Sequence, residues 1–157
     1  MPKCNVPGTS DEEPCERLER AAVFPAQCES LAAIIAFVTE AAHRAGLDTD
    51  AIRAVQLAVD EACMNIIEHA YQGSESGSIE CSCAVDARGL TITLVDHGIP
   101  FELDKVPQPC LSANLEERSE RGLGVYIMCQ LMDEVRHTFS PRSGNVLTMV
   151  KYREAPG

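Results

Sequence analysis

Glu61 and Asn65 stand four residues apart in the run Ala58-Val59-Asp60-Glu61-Ala62-Cys63-Met64-Asn65-Ile66-Ile67-Glu68-His69-Ala70-Tyr71. Side chains at i and i+4 share a helix face, so a carboxylate and a carboxamide project into the same space. A carboxylate beside a fixed oxygen donor suits general-base chemistry next to a hard cation. The helix is read from Val55, Val59, Ala62, Ile66 and Ala70, which fall on one face with Cys63 and Ile67 beside them. His69 extends the polar set by one more turn. The alternative for all three groups is a solvated stripe on an amphipathic helix.

Two other places carry residues of the right type. Asp96-His97-Gly98-Ile99-Pro100 follows the strand-like run Leu90 to Val95. A carboxylate at a strand end can accept a hydrogen bond from a ligand amino group, and a neighbouring glycine lets backbone and ligand approach closely. A plain turn uses the same residues. Arg121-Gly122-Leu123-Gly124 is expected between a long loop and a third helix. Free amides at a helix N-terminus, glycines and a forked cation together make an anion site. The lone Gly-x-Gly is neither a dinucleotide fingerprint nor a Walker loop, because the third glycine and the Gly-Lys-Ser/Thr ending are missing.

Elements able to position these groups are legible along the chain. Leu18 to Phe24 reads as a short strand, and Glu29 to Ala45 as a helix with Leu31, Ile34, Ile35, Val38, Ala41 and Ala42 at helical spacing, stopped by Gly46. A second helix runs from the capping residues Asp48 to Asp50 to about Tyr71. Ser78 to Val85 and Leu90 to Val95 form a hairpin around Asp86-Ala87-Arg88-Gly89. Phe101 to Arg121 reads as a long loop, a functional lid or a disordered segment, followed by a helix from Gly122 to about Met132. A last hairpin pairs Glu134 to Phe139 with Val146 to Tyr152 around Ser140 to Asn145. This order predicts an α+β fold, a two-layer sandwich with helices on one face of a mostly antiparallel sheet.

The 157 residues suit one core, expected over residues 16–153 behind a flexible tail at 1–15. A formal net charge of −11 argues against duplex nucleic acid as a partner, since phosphate backbones call for a basic face. One nucleotide is still compatible with it, because amides, a helix N-terminus and a metal can hold phosphates. No apolar run is long enough to span a membrane, and Met1 to Gly8 lacks the apolar core of a signal peptide, so the expected location is the cytoplasm. The eight cysteines include only one close pair, Cys81-Ser82-Cys83, which predicts free thiols and no zinc site.

The three motifs, in this order and spacing, resemble the Bergerat-fold (GHKL) ATPases, the superfamily of gyrase, MutL and the histidine kinases. Glu61-x-x-x-Asn65 is similar to the N box, Asp96-x-Gly98 to the first glycine box and Gly122-Leu123-Gly124 to the second. The nearest likeness is to the anti-sigma-factor serine-protein kinases of bacterial partner switching. Glu61-Ala62-Cys63-Met64-Asn65 through His69-Ala70-Tyr71 carries it, as does Gly122-Leu123-Gly124-Val125-Tyr126-Ile127-Met128 running into Leu131-Met132-Asp133-Glu134-Val135.

That resemblance implies an ATP-dependent serine/threonine-protein kinase with ATP or ADP and Mg²⁺ as cofactors. Asn65 would hold the metal, and Glu61 would take the proton of the attacking serine. Asp96 would receive the adenine amino group, with Gly98 lining the base pocket. Gly122, Leu123 and Gly124 would belong to the phosphate lid, with Arg121 near the γ-phosphate. The implied partners are a small anti-anti-sigma protein as substrate, a sigma factor, and a second copy of the chain in a homodimer. One departure concerns adenine: the family often has threonine after the glycine of the last hairpin, where this chain has Asn145 and then Val146. A lid without a run of glycines and that missing threonine motivate the alternative of a nucleotide-binding module that sequesters a partner without phosphotransfer.

Overall fold

The computed structural model describes residues 17–72, 76–100 and 120–154. The expected tail and most of the expected lid loop lie outside the described residues. The chain runs β1 (Leu18–Pro25), α1 (Leu31–Arg44), α2 (Thr49–Asn65), β2 (Ser78–Asp86), β3 (Gly89–Asp96), α3 (Glu120–Leu131), β4 (Glu134–Ser140) and β5 (Gly144–Tyr152). A single 3₁₀ turn, Cys28–Ser30, leads into α1.

The sheet has the order β1-β2-β3-β5-β4, and every neighbouring pair is antiparallel. Alternation decides which face is covered: Ile79, Cys81 and Cys83 of β2, Leu90, Ile92 and Leu94 of β3, and Leu147 and Met149 of β5 are buried. The helices supply the second layer through Ile34, Val38, Ala41 and Ala42 of α1 and Val55, Ala58, Val59, Ala62 and Cys63 of α2. Met128 and Val125 of α3 complete it. The expected α+β sandwich is the fold observed.

Local chemistry sets the joints. Gly46 ends α1 at φ +77°, the left-handed conformation that a helix C-terminus favours. Asp48 caps α2 by accepting from the Ala51 amide at 2.8 Å. In the first hairpin Asp86 Oδ1 accepts from the amides of Arg88 and Gly89. At the β1 edge, Arg20 stacks over Phe37 and pairs with Glu40, which also meets Arg44. The hydrogen bond from Arg20 is the main reason the Glu40 carboxyl is held below its ordinary value.

Two expectations are corrected. The second helix does not run in α-geometry to Tyr71: it ends at Asn65 and widens into a π-turn over Ile66–Ala70, closed by the Tyr71 amide on the Ile66 carbonyl. Ile66, Ile67 and Ala70 of the wider turn are buried. The third helix begins at Glu120, so Arg121-Gly122-Leu123-Gly124 lies inside its first turns and not before it. The glycines did not break it because glycine costs a helix only about 1 kcal/mol per residue, which packing can offset.

Candidate nucleotide site

Both layers contribute to one end of the sandwich. The end of α2 brings Asn65, its π-turn brings Ile66 and Ala70, and the end of β3 brings Asp96. These residues line one partly open cavity with Ala62 and Met128. The last hairpin closes it with His137, Asn145 and Leu147. Asn65 and Asp96, thirty-one positions apart in sequence, therefore face a common space.

Asp96 is 3 % exposed, yet its carboxylate is well supplied with donors. Its Oδ1 accepts from the Gly98 amide at 2.9 Å and from Asn145 Nδ2 at 2.9 Å. Oδ2 receives no hydrogen bond from a described residue, which leaves it available to a ligand donor at the cavity wall. The Asp96-x-Gly98 turn is clamped to the π-turn, since the Ile99 amide donates to the Ala70 carbonyl at 2.7 Å. A Cβ on Gly98 would sit 2.3 Å from that same carbonyl oxygen, so only glycine permits the approach. Gly144 is required for two reasons: its φ is +79°, and a Cβ there would come within 2.4 Å of the Asp96 carbonyl.

Glu61 and Asn65 are half-buried on the face of α2 that meets α3. The contact is made at Gly124, where a Cβ would lie 2.9 Å from Glu61 Oε1 and under 4 Å from both polar atoms of Asn65. Gly124 is thus a cradle for the two polar side chains. Asn65 Nδ2 is buried without a hydrogen-bond partner among the described residues. An orphaned amide costs about 1–3 kcal/mol, and a buried carboxamide facing a cavity is suited to a ligand that the protein alone does not supply. Among the described residues no three His, Cys, Asp or Glu side chains converge on a metal position. A single carboxamide oxygen, that of Asn65, is compatible with Mg²⁺, which commonly takes one or two protein ligands and fills its shell with phosphate oxygens and water.

Of the residues expected from sequence, Glu61, Asn65, Asp96, Gly98 and Gly124 come together at this end. Gly122, Leu123 and Arg121 lie on the helix turn leading into Gly124. His69 does not line the cavity. Sequence reasoning missed Met128, His137 and the full role of Asn145. For Asn145 the signal was present as a departure from the family pattern; His137 carried none, because strand pairing alone brings it to the site.

The chain carries a domain of the histidine kinase-like ATPase class, whose profile matches residues 24–151. Serine-protein kinase RsbW of Bacillus subtilis is 35 % identical over 132 residues, covering 82 % of this chain and 81 % of the relative. Its counterpart in Bacillus velezensis is 33 % identical over 133 residues, covering 82 % of each. The chain belongs to this family of RsbW serine-protein kinases. A crystal structure of the RsbU and RsbW domains of a Mycobacterium tuberculosis protein superposes with a TM-score of 0.61 at 18 % identity. The match covers 88 % of this chain and 33 % of that longer one, and it supports the fold.

Proposed function

We propose that the protein is an ATP-dependent kinase that phosphorylates a serine or threonine on a small anti-anti-sigma protein, and that it also sequesters a sigma factor. The observation that carries this reading is the shared cavity of Asn65 and Asp96, with Glu61 held beside Asn65 against Gly124. The domain is taken as residues 16–153, working in the cytoplasm as a homodimer.

Phosphoryl transfer asks mainly for positioning and charge neutralisation. Asp96 Oδ2 receives the amino group of the base, Gly98 gives the ring room, and Met128 and Leu147 supply apolar walls. Asn65 offers its carboxamide oxygen to Mg²⁺, which when bound would neutralise charge on the phosphates. Glu61, one turn earlier on the same face, accepts the proton of the substrate hydroxyl. Gly122, Leu123 and Gly124 present the start of α3 to the phosphates, with Arg121 as the cation beside them. Adding a doubly charged phosphate to a partner's contact surface then breaks that complex and frees the kinase for the other.

Incubation with a candidate partner and ATP, read by intact mass, tests the proposal: one phosphate is gained by the small partner. Glu61→Ala is expected to slow transfer by about 10²–10⁴-fold while ADP binding persists. Asn65→Ala is expected to remove the Mg²⁺ dependence of nucleotide binding. If Glu61→Ala leaves phosphorylation intact, the mechanism is wrong.

A further inference from the structure

Asn145 donates from Nδ2 to two acceptors, Asp96 Oδ1 at 2.9 Å and the Ile99 carbonyl at 3.1 Å. A flipped amide would set its oxygen against both, so the orientation is fixed. Asn145 Oδ1 must therefore be the atom that faces His137 Nε2, at 3.2 Å. An amide oxygen only accepts, so His137 is the donor and its proton sits on Nε2. A directed chain runs from His137 through Asn145 to Asp96, and both His137 and Asn145 line the same cavity as Asp96.

We propose that His137, acting through Asn145, is a positioning residue that sets the nucleobase selectivity of the site. This rests on the reading of Asp96 as the base acceptor. Asn145 pins Asp96 Oδ1 together with the Gly98 amide, leaving Oδ2 aimed at the ligand as an acceptor only. A purine with an amino group at position 6 meets that oxygen with a donor. A 6-oxopurine meets it with a second acceptor and is rejected, since a site built for one hydrogen bond penalises a ligand that cannot make it. Without His137, Asn145 keeps its two Nδ2 bonds but loses a contact on Oδ1 that tightens the amide, and Asp96 is held less firmly in direction. His137 reaches this place because β4 pairs with β5 so that His137 lies opposite Leu147, with Asn145 two positions before Leu147 in β5.

Calorimetric titration of the full chain with ADP and with GDP, both with Mg²⁺, tests this. His137→Leu is expected to lower ADP affinity about three- to tenfold, the size of one hydrogen bond, with GDP affinity unchanged. His137→Gln, whose Nε2 can stand where the imidazole Nε2 stood, is expected to restore ADP affinity to within about twofold. The proposal falls if His137→Leu keeps the wild-type preference, if it weakens ADP and GDP equally, or if His137→Gln rescues nothing. Thermal unfolding of both variants identifies a folding defect, and His137→Gln then decides alone. Asp96→Asn separates the two levels. If it keeps the ADP preference, the reading of Asp96 fails and this inference with it. If it abolishes the preference while His137→Leu does not, only the role of His137 is overturned.

Discussion

At the scale of single residues, the site is built from groups whose neighbours restrict them. Asp96 is legible in sequence as a strand-end carboxylate beside glycine, and burial with two donors on one oxygen makes it directional. Asn145 stands where the family often has threonine, and in the structure it donates directly to Asp96. The thiols show the same dependence on surroundings. Cys28, Cys63, Cys81, Cys83 and Cys129 are free, as expected. Burial pushes the Cys63 thiol up to about 12, and Cys81 is raised by its hydrogen bond with Cys83 and by burial. Because the thiolate is the reactive form, iodoacetamide at mildly alkaline pH is expected to modify exposed Cys28 and spare Cys63 and Cys81, as peptide mapping would reveal. Rapid labelling of Cys63 in the folded protein would contradict its placement.

At the scale of elements, the junctions decide function more than the helices and strands do. Among the described residues periodicity located the helices and strands to within a few residues, apart from the end of α2, expected near Tyr71 and found at Asn65. It missed the π-turn, which changes no apolar residue and only rotates those after Asn65. It also missed that the second glycine box lies within α3. Gly124→Ala should favour the helix by about 1 kcal/mol on propensity alone. The new Cβ would nevertheless stand 2.9 Å from Glu61 Oε1, so Glu61 must move. The expected outcome is little change in thermal stability with a clear loss of phosphotransfer, measured as initial rate against melting temperature. An unaffected rate would mean that Glu61 has freedom to spare at that contact.

At the scale of the whole molecule, the core couples stability to pH. Cys63 is neutral in the fold, with its thiol held up to about 12, whereas in the unfolded chain it ionises at the ordinary thiol value. Its contribution is fully present below that ordinary value and is lost as pH rises toward about 12, because the unfolded state then sheds the proton first. Urea midpoints should therefore fall through the alkaline range, and Cys63→Ala should flatten the decline while lowering the neutral-pH value through its cavity. A midpoint indifferent to pH in wild type would refute the burial of this thiol.

Sequence by itself determined the class of fold, the polar pair on α2, the carboxylate after β3 and the family, since local periodicity and motif order are properties of the chain. Tertiary structure alone decided which of these groups share a cavity, and that Gly124 shelters Glu61 and Asn65. It also joined His137 and Asn145 to Asp96. Those contacts join residues tens of positions apart, and only the antiparallel register of β3, β5 and β4 and the docking of α3 on α2 bring them within hydrogen-bonding distance.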